Sequence, residues 1–290
     1  MFYFEQEFDK LITILKHLRS KDGVHVASGL FDDNHVVIKT FENEEYRREI
    51  DYYKLLTELN ISTIPVLGST PKTLILTDIT ASLDWRLGVE SDFNDVPIFE
   101  KLAHWYFNLH ENSLSNPALD KLNSEMDVLT YEKIEYLLER VPEAEVTLRY
   151  ILSCFNKLQM MISEQEFVIN YNDFYWTNLA VKKDKSEALM FDYNMMGKGY
   201  RYSDIRNVCS SLPVESSEVF IKTYNELFLT KHGYERSKQE ATERLIDEIV
   251  APLVNLIFAY ARPEFPSWAA DSKAELISGK LLAKAKKLFR

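Results

Sequence analysis

The chain has 290 residues, 46% of them hydrophobic and 13% aromatic, so it can bury a substantial core and does not have the composition of a disordered polymer. Its formal net charge of −11 disfavours nucleic acid and anionic membrane surfaces as general partners. Its two cysteines, Cys154 and Cys209, lie far from each other and from any histidine at ligand spacing, which excludes a disulfide framework or a zinc pattern and fits reduced thiols.

Phe4, Phe8, Leu11, Leu15 and Leu18 recur every three or four residues and predict an amphipathic opening helix. The β-branched runs 24–30 and 35–40 flank Phe31-Asp32-Asp33-Asn34, whose turn chemistry predicts a hairpin. Asn43 is placed to cap a helix with Tyr46, Ile50, Tyr53, Leu56 and Leu59 on its apolar face. Residues 63–68 and 73–77 read as two further strands. These elements make a small sheet lobe ending near residue 80.

Beyond Thr80 the pattern is mostly helical. Ile98, Leu102, Trp105 and Leu109 mark one helix face. Tyr131, Ile134 and Leu138 mark a second, and Val146, Tyr150, Cys154 and Met161 a third. Short strands are expected at 168–169, 179–181 and 188–191. Helices resume through Phe220, Tyr224 and Leu227, then Leu245, Ile249, Leu253 and Leu256, and a basic final helix covers 280–290. The acidic N-terminus has no basic segment of a signal peptide, and the apolar run 250–261 is too short to span a bilayer. The expected location is therefore cytoplasmic, with no membrane partner.

The most informative segment is Ile169-Asn170-Tyr171-Asn172-Asp173-Phe174-Tyr175-Trp176-Thr177-Asn178, followed by Leu189-Met190-Phe191-Asp192. Asp173 precedes Asn178 by five positions, and Asp192 follows fourteen later. A carboxylate, a carboxamide and a second carboxylate at this spacing suit phosphoryl transfer. The first orients or deprotonates a hydroxyl, and the other two hold magnesium against nucleotide phosphates. Each residue alone also reads as a turn former or strand-end cap. Lys39 closes a strand and can point an ammonium at phosphates, with Glu49 on the following helix to hold it and Glu45 as the fallback. Alone, that pair also reads as an edge-strand lysine and a solvated acid.

Together these residues resemble the aminoglycoside phosphotransferase and choline kinase family. The resemblance extends to Leu102-Ala103 with Leu109-His110 before the catalytic loop, and to Asp204-Ile205 opening a helix after it. It implies an α+β, two-lobed protein-kinase-like fold with a small antiparallel-sheet N-lobe, residues 1–80, and a mainly helical C-lobe, residues 81–290. It also implies transfer of the γ-phosphoryl group of ATP or GTP to a hydroxyl of a small molecule. Asp173 would be the base, Asn178 and Asp192 the Mg2+ ligands, and Lys39 the phosphate clamp held by Glu49. The backbone of Asp78, Ile79 and Thr80 would meet the nucleotide base. His110 reads as a packed, hydrogen-bonded helix histidine.

Three positions depart from the family pattern. Tyr171-Asn172 stands where His-Gly is usual. The phosphate-covering turn is only Ser20-Lys21-Asp22-Gly23. Tyr193-Asn194 follows Asp192 where relatives carry an aromatic and an acid. None removes a group that does chemistry. They keep open the alternative of a degenerate homologue that binds nucleotide or serves as a scaffold. Tyr175, Trp176 and Tyr193, with Asp84, Glu90, Asp92 and Asp95, suggest an amine-bearing acceptor such as an aminoglycoside, choline or ethanolamine. The same residues also read as core aromatics and solvated acids.

Overall fold

The computed structural model describes residues 12–290, and within that range the side chains of all but residues 235–240. In chain order the described elements begin with β1 (Ile12–Lys21), β2 (Val24–Phe31), β3 (Asn34–Phe41), α1 (Glu44–Glu58), β4 (Val66–Ser69), β5 (Thr73–Thr77) and β6 (Trp85–Leu87). Then come α2 (Val96–Ser113), α3 (Tyr131–Arg140), α4 (Glu145–Ser153), α5 (Phe155–Ser163), β7 (Val168–Asn170), β8 (Leu179–Lys182), β9 (Ala188–Met190) and β10 (Gly197–Gly199). The remainder is helical: α6 (Arg201–Ser211), α7 (Val214–His232), α8 (Tyr234–Tyr260), α9 (Ala270–Ile277) and α10 (Lys280–Leu288). Two compact units interleave along the chain. Of the described residues, one takes 12–112, 171–196 and 208–225; the other takes 113–170, 197–207 and 226–290.

The first unit is built on an antiparallel sheet in the order β1-β2-β3-β5-β4. Two tight turns set its register. Asp22 (φ 53°) and Gly23 (φ 77°) join β1 to β2, and Asp32 (φ 53°) and Asp33 (φ 63°) join β2 to β3. Paired positive φ angles match the twist of a two-residue hairpin, and Gly and Asp tolerate them. The Asn43 side chain accepts the Glu45 N–H at 3.0 Å and starts α1, as expected. Ile50, Tyr53 and Leu56 on that helix are buried. A second sheet, β6-β8-β9, belongs to the same unit.

The expected opening helix is corrected. Phe4, Phe8 and Leu11 lie outside the described residues, but Leu15 and Leu18 are on strand β1 and exposed. Their helical spacing competes with the β-branched start Ile12-Thr13-Ile14, and pairing along β2 decides for the strand. Short β6 (Trp85-Arg86-Leu87) and β10 (Gly197-Lys198-Gly199) were not anticipated; neither has the consecutive apolar residues that mark β7 and β9.

The second unit has a helical core. Leu148, Ile151, Leu158, Ile249, Leu253, Leu256 and Leu281 are among its fully buried side chains. The third expected helix is two helices, broken at Cys154 (φ −106°, ψ 7°). The break moves the buried stripe onto Leu148, Ile151, Phe155, Leu158 and Ile162 and leaves Val146 exposed. Cys154 and Cys209 are free and only partly buried. The α8 helix continues through Pro252. Among the described residues, no helix is long and apolar enough to cross a membrane.

Candidate active site

Strand β3 runs between β2 and β5, so Lys39 stands opposite Val26 on one side and Leu74 on the other. It is a central-strand lysine, nearly enclosed, rather than an edge lysine in water. Its Nζ donates to both carboxylate oxygens of Glu49, at 2.8 and 2.6 Å, and to Asp192 Oδ1 at 2.8 Å. Glu49 is fully buried on α1, while the fallback Glu45 is exposed. Burial pulls the Lys39 pKa down, but the charges of Glu49 and Asp192 outweigh it and leave the pKa raised. The Glu49 carboxyl is raised by burial and by the Asp192 charge, against the pull of Lys39. One cation therefore faces two carboxylates, and the cluster keeps an excess of negative charge.

The loop after β7 carries Asp173. Phe174 anchors it, stacked on Phe93 at 5.5 Å with Phe99 edge-on at 6.4 Å. Asn178 Nδ2 donates to Asp173 Oδ2 at 2.9 Å and to the Asp173 carbonyl at 3.2 Å. Burial and the nearby Asp192 charge raise the Asp173 pKa, opposed by the Asn178 bond. The β8–β9 hairpin brings residues fourteen apart in sequence to the same end of two paired strands. Leu179 pairs with Met190, and the Phe191 N–H donates to the Asn178 carbonyl at 2.9 Å. Asn178 just before β8 and Asp192 just after β9 thus share one end of the hairpin. Asp192 has left-handed backbone (φ 64°, ψ 73°), which turns the chain sharply behind β9.

Both departures beside Asp173 have a structural role. The buried Tyr171 hydroxyl donates to the Phe191 carbonyl at 2.5 Å, one residue before Asp192. The rings of Trp105, Tyr106 and Tyr193 pack edge-on around it at 6.0–6.4 Å. Tyr171 thus braces the segment by hydroxyl and packing. Asn172 takes φ 65°, a conformation glycine adopts freely and asparagine tolerates. Tyr171→Phe should destabilise the fold by about 1 kcal/mol through loss of that bond. An unchanged urea midpoint would remove Tyr171 as a brace.

The connector after β5 is already partly committed. The Asp78 N–H donates to the His35 carbonyl at 3.0 Å, and the Thr80 N–H donates to Asp78 Oδ1 at 2.9 Å. The Asp78 carbonyl accepts the Ala81 N–H at 3.2 Å, and the Ile79 carbonyl accepts the Ser82 N–H at 3.0 Å. Among the described residues, the Ile79 N–H and the Thr80 carbonyl are left without such bonds, and an occupied carbonyl keeps a second lone pair. Asp78, Ile79 and Thr80 line one cavity of about 470 Å3 with Lys39, Glu49 and Asp192. Val26, Leu76 and Phe191 supply apolar wall. Asp173 and Asn178 are not in that lining, although Thr177 is.

Several sequence expectations are revised. Tyr193 is core, fully buried with its hydroxyl on the Met190 carbonyl at 2.7 Å, whereas Tyr175 is exposed. Asp92 is buried and held by both Arg86 nitrogens at 2.6 and 2.7 Å. Burial pushes its pKa up, but Arg86 and the Val89 N–H overcome that and lower it. Asp95 pairs with Lys185 at 2.5 Å, while Asp84 and Glu90 are exposed. Two of the four acids that suggested an amine-bearing acceptor are thus consumed by internal pairs. His110 is buried, and its Nδ1 shares a 2.7 Å hydrogen bond with the Tyr224 hydroxyl, as expected of a packed histidine. Asp204 is buried inside the first turn of α6 rather than at its cap.

No protein-family model matches the chain, and comparison with curated proteins returned no match. Solved structures do match along nearly the whole length. A putative aminoglycoside phosphotransferase from Ralstonia eutropha superposes with a TM-score of 0.58 at 12% identity, over 97% of this chain and 94% of its own. An ethanolamine kinase from Plasmodium vivax gives 0.56 at 14% identity, over 95% and 83%. An aminoglycoside 2"-phosphotransferase in complex with streptomycin and ATP gives 0.54 at 17% identity, over 96% and 94%. The chain therefore has the expected two-lobed protein-kinase-like fold, with a small antiparallel-sheet N-lobe and a mainly helical C-lobe.

Proposed function

We propose that this protein is a small-molecule kinase of the aminoglycoside phosphotransferase and choline kinase type, moving the γ-phosphoryl group of ATP to a hydroxyl of a small acceptor. The observation that carries this is Lys39, buried at the wall of the 470 Å3 cavity and bonded at once to Glu49 and Asp192. An ammonium fixed between two carboxylates is poised to meet a phosphate without reorganising. The lobe boundary at residue 80 and a cytoplasmic location belong to the same proposal. ATP rather than GTP is the donor we favour, because the streptomycin-bound neighbour holds ATP.

In this reading Asp173 takes the proton from the acceptor hydroxyl. Its raised pKa suits a base, and Asn178 holds it in place. Tyr171, through the Phe191 carbonyl, ties the Asp173 loop to the Asp192 segment. The Asp192 carboxylate and Asn178 carboxamide oxygens are hard donors beside excess negative charge, which fits Mg2+. Bound there, Mg2+ would neutralise phosphate charge as the bond to the γ-phosphorus breaks. Positioning and charge neutralisation supply most of the rate. The exposed Tyr175 and the half-buried Trp176, next to Asp173 in sequence, support an acceptor bearing an amine.

The test is ADP release from purified protein with Mg2+ and ATP across hydroxylated amines, sugars and aminoglycosides. Acceptor-dependent release supports the reading; ATP binding without release for any acceptor would favour the degenerate homologue. Asp192→Ala should weaken Mg2+-dependent ATP binding by about tenfold or more. Calorimetric affinity equal to wild type would move the metal site elsewhere.

A further inference from the structure

The turn between β1 and β2 is only two residues long, so it offers few backbone N–H groups to cover phosphates. The strand leading into it carries something else. β1 pairs with β2 with register shifts between Ile14 and Lys16 and between His17 and Arg19. Each shift is a bulge, which passes one residue out of the ladder and resets the alternation of faces. In a regular strand Lys16 and Arg19, three apart, would point to opposite faces. Here Lys16 stands opposite Ser28 and Arg19 opposite Val26. Ser28 and Val26 are two apart on β2 and share a face, so the bulge at Leu18 brings both cations onto it. Gly29 admits the close approach of the strands: a Cβ there would lie 2.5 Å from the Thr13 carbonyl oxygen.

The row continues onto β3, where Val26 stands opposite Lys39. Arg19, Val26 and Lys39 thus form one line across three strands, spanning about 10 Å of backbone. Arg19, Lys16, Val26, Ser28 and Lys39 all line the 470 Å3 cavity. Lys39 is already matched by Glu49 and Asp192. Lys16 and Arg19 are exposed and, among the described residues, neither is in an ion pair. Among the described residues they are the cations of this wall without an ion-pair partner.

Resting on the kinase reading above, we propose that Arg19, assisted by Lys16, grips the phosphate chain of the nucleotide, doing with side-chain cations what a short two-residue turn cannot do with backbone N–H groups. The guanidinium fork suits two phosphate oxygens at once, and Lys16 adds a point charge. The bound chain lies over Val26, between Arg19 and Lys39.

The test is calorimetric titration of ATP, ADP, AMP and adenosine, with Mg2+, into wild type, Arg19→Gln, Arg19→Lys and Lys16→Gln/Arg19→Gln. The double variant should lose about tenfold or more in ATP affinity and less for ADP, with adenosine within about twofold. Arg19→Lys should recover part of the loss, and the salt dependence of ATP binding should become shallower in the double variant. Equal weakening of all four ligands would mark a structural role and overturn the proposal. So would an ATP affinity equal to wild type. A wild type that binds none of the four overturns the kinase reading, and this inference with it; a wild type that binds ATP beside an unaffected double variant overturns this inference alone.

Discussion

Asp173→Asn is expected to lower turnover by about 10²–10⁴-fold while leaving ATP affinity within a few-fold. The substitution keeps an oxygen acceptor for Asn178 Nδ2, so the loop geometry survives and only the base is lost. The same variant should be more stable than wild type at neutral pH. Burial and the Asp192 charge raise the Asp173 pKa in the folded protein, so the folded state holds this proton more tightly than the unfolded chain. Stability then falls as pH rises from the ordinary aspartate range through the raised folded value, and stays lower above it. Asparagine removes that penalty. The melting-temperature gain should vanish at a pH below the ordinary aspartate range, where both forms are neutral. In the wild type, turnover should fall on the acid side as Asp173 protonates, around a pKa above that of a free aspartate. A variant with full turnover ends the base assignment. One with low turnover but no pH-dependent gain in stability would show that Asp173 is not strained by its surroundings.

Lys39→Met should cost about 3–5 kcal/mol of stability, because it leaves Glu49 buried beside Asp192 without a cation. The loss should be smaller in acid, where Glu49 is protonated. In the wild type the raised Lys39 pKa contributes stability below the ordinary lysine range, lost only as pH rises through the folded value. Lys39→Met with Glu49→Gln should recover most of the stability, since no unpaired buried charge is left between those two positions. It should not recover ATP binding. Chemical denaturation and calorimetry on both variants separate the roles. Full recovery of both stability and ATP affinity in the double variant would make the pair structural only.

The elements that could be read from the sequence are those whose local signals agree. The hairpin at Asp32-Asp33 has turn residues between β-branched runs, and Asn43 caps a helix with a regular apolar face. The Asp173, Asn178 and Asp192 spacing was legible because a loop, a short strand and a hairpin return leave few ways to vary it. Glu49 could be preferred to Glu45 because helical periodicity turns it toward the sheet with Tyr53 and Leu56. The β1 strand was not legible: Leu15 and Leu18 fit a helical period, and two bulges erase the strand alternation.

By itself, then, the sequence determined a small sheet lobe followed by a mostly helical chain, and the order in which Lys39, Glu49, Asp173, Asn178 and Asp192 occur, because these rest on periodicity, caps and spacing within short windows; the two-lobed kinase-like fold class followed from the resemblance those residues carry. Only the tertiary structure decided what those residues face. It assigned Tyr193 to the core, consumed Asp92 and Asp95 in internal ion pairs, committed much of the connector's backbone, and aligned Arg19 with Lys39 across Val26. Such outcomes depend on cross-strand register and burial between segments distant in sequence. A one-residue bulge that no local pattern announces is enough to turn a side chain from one face of a sheet to the other.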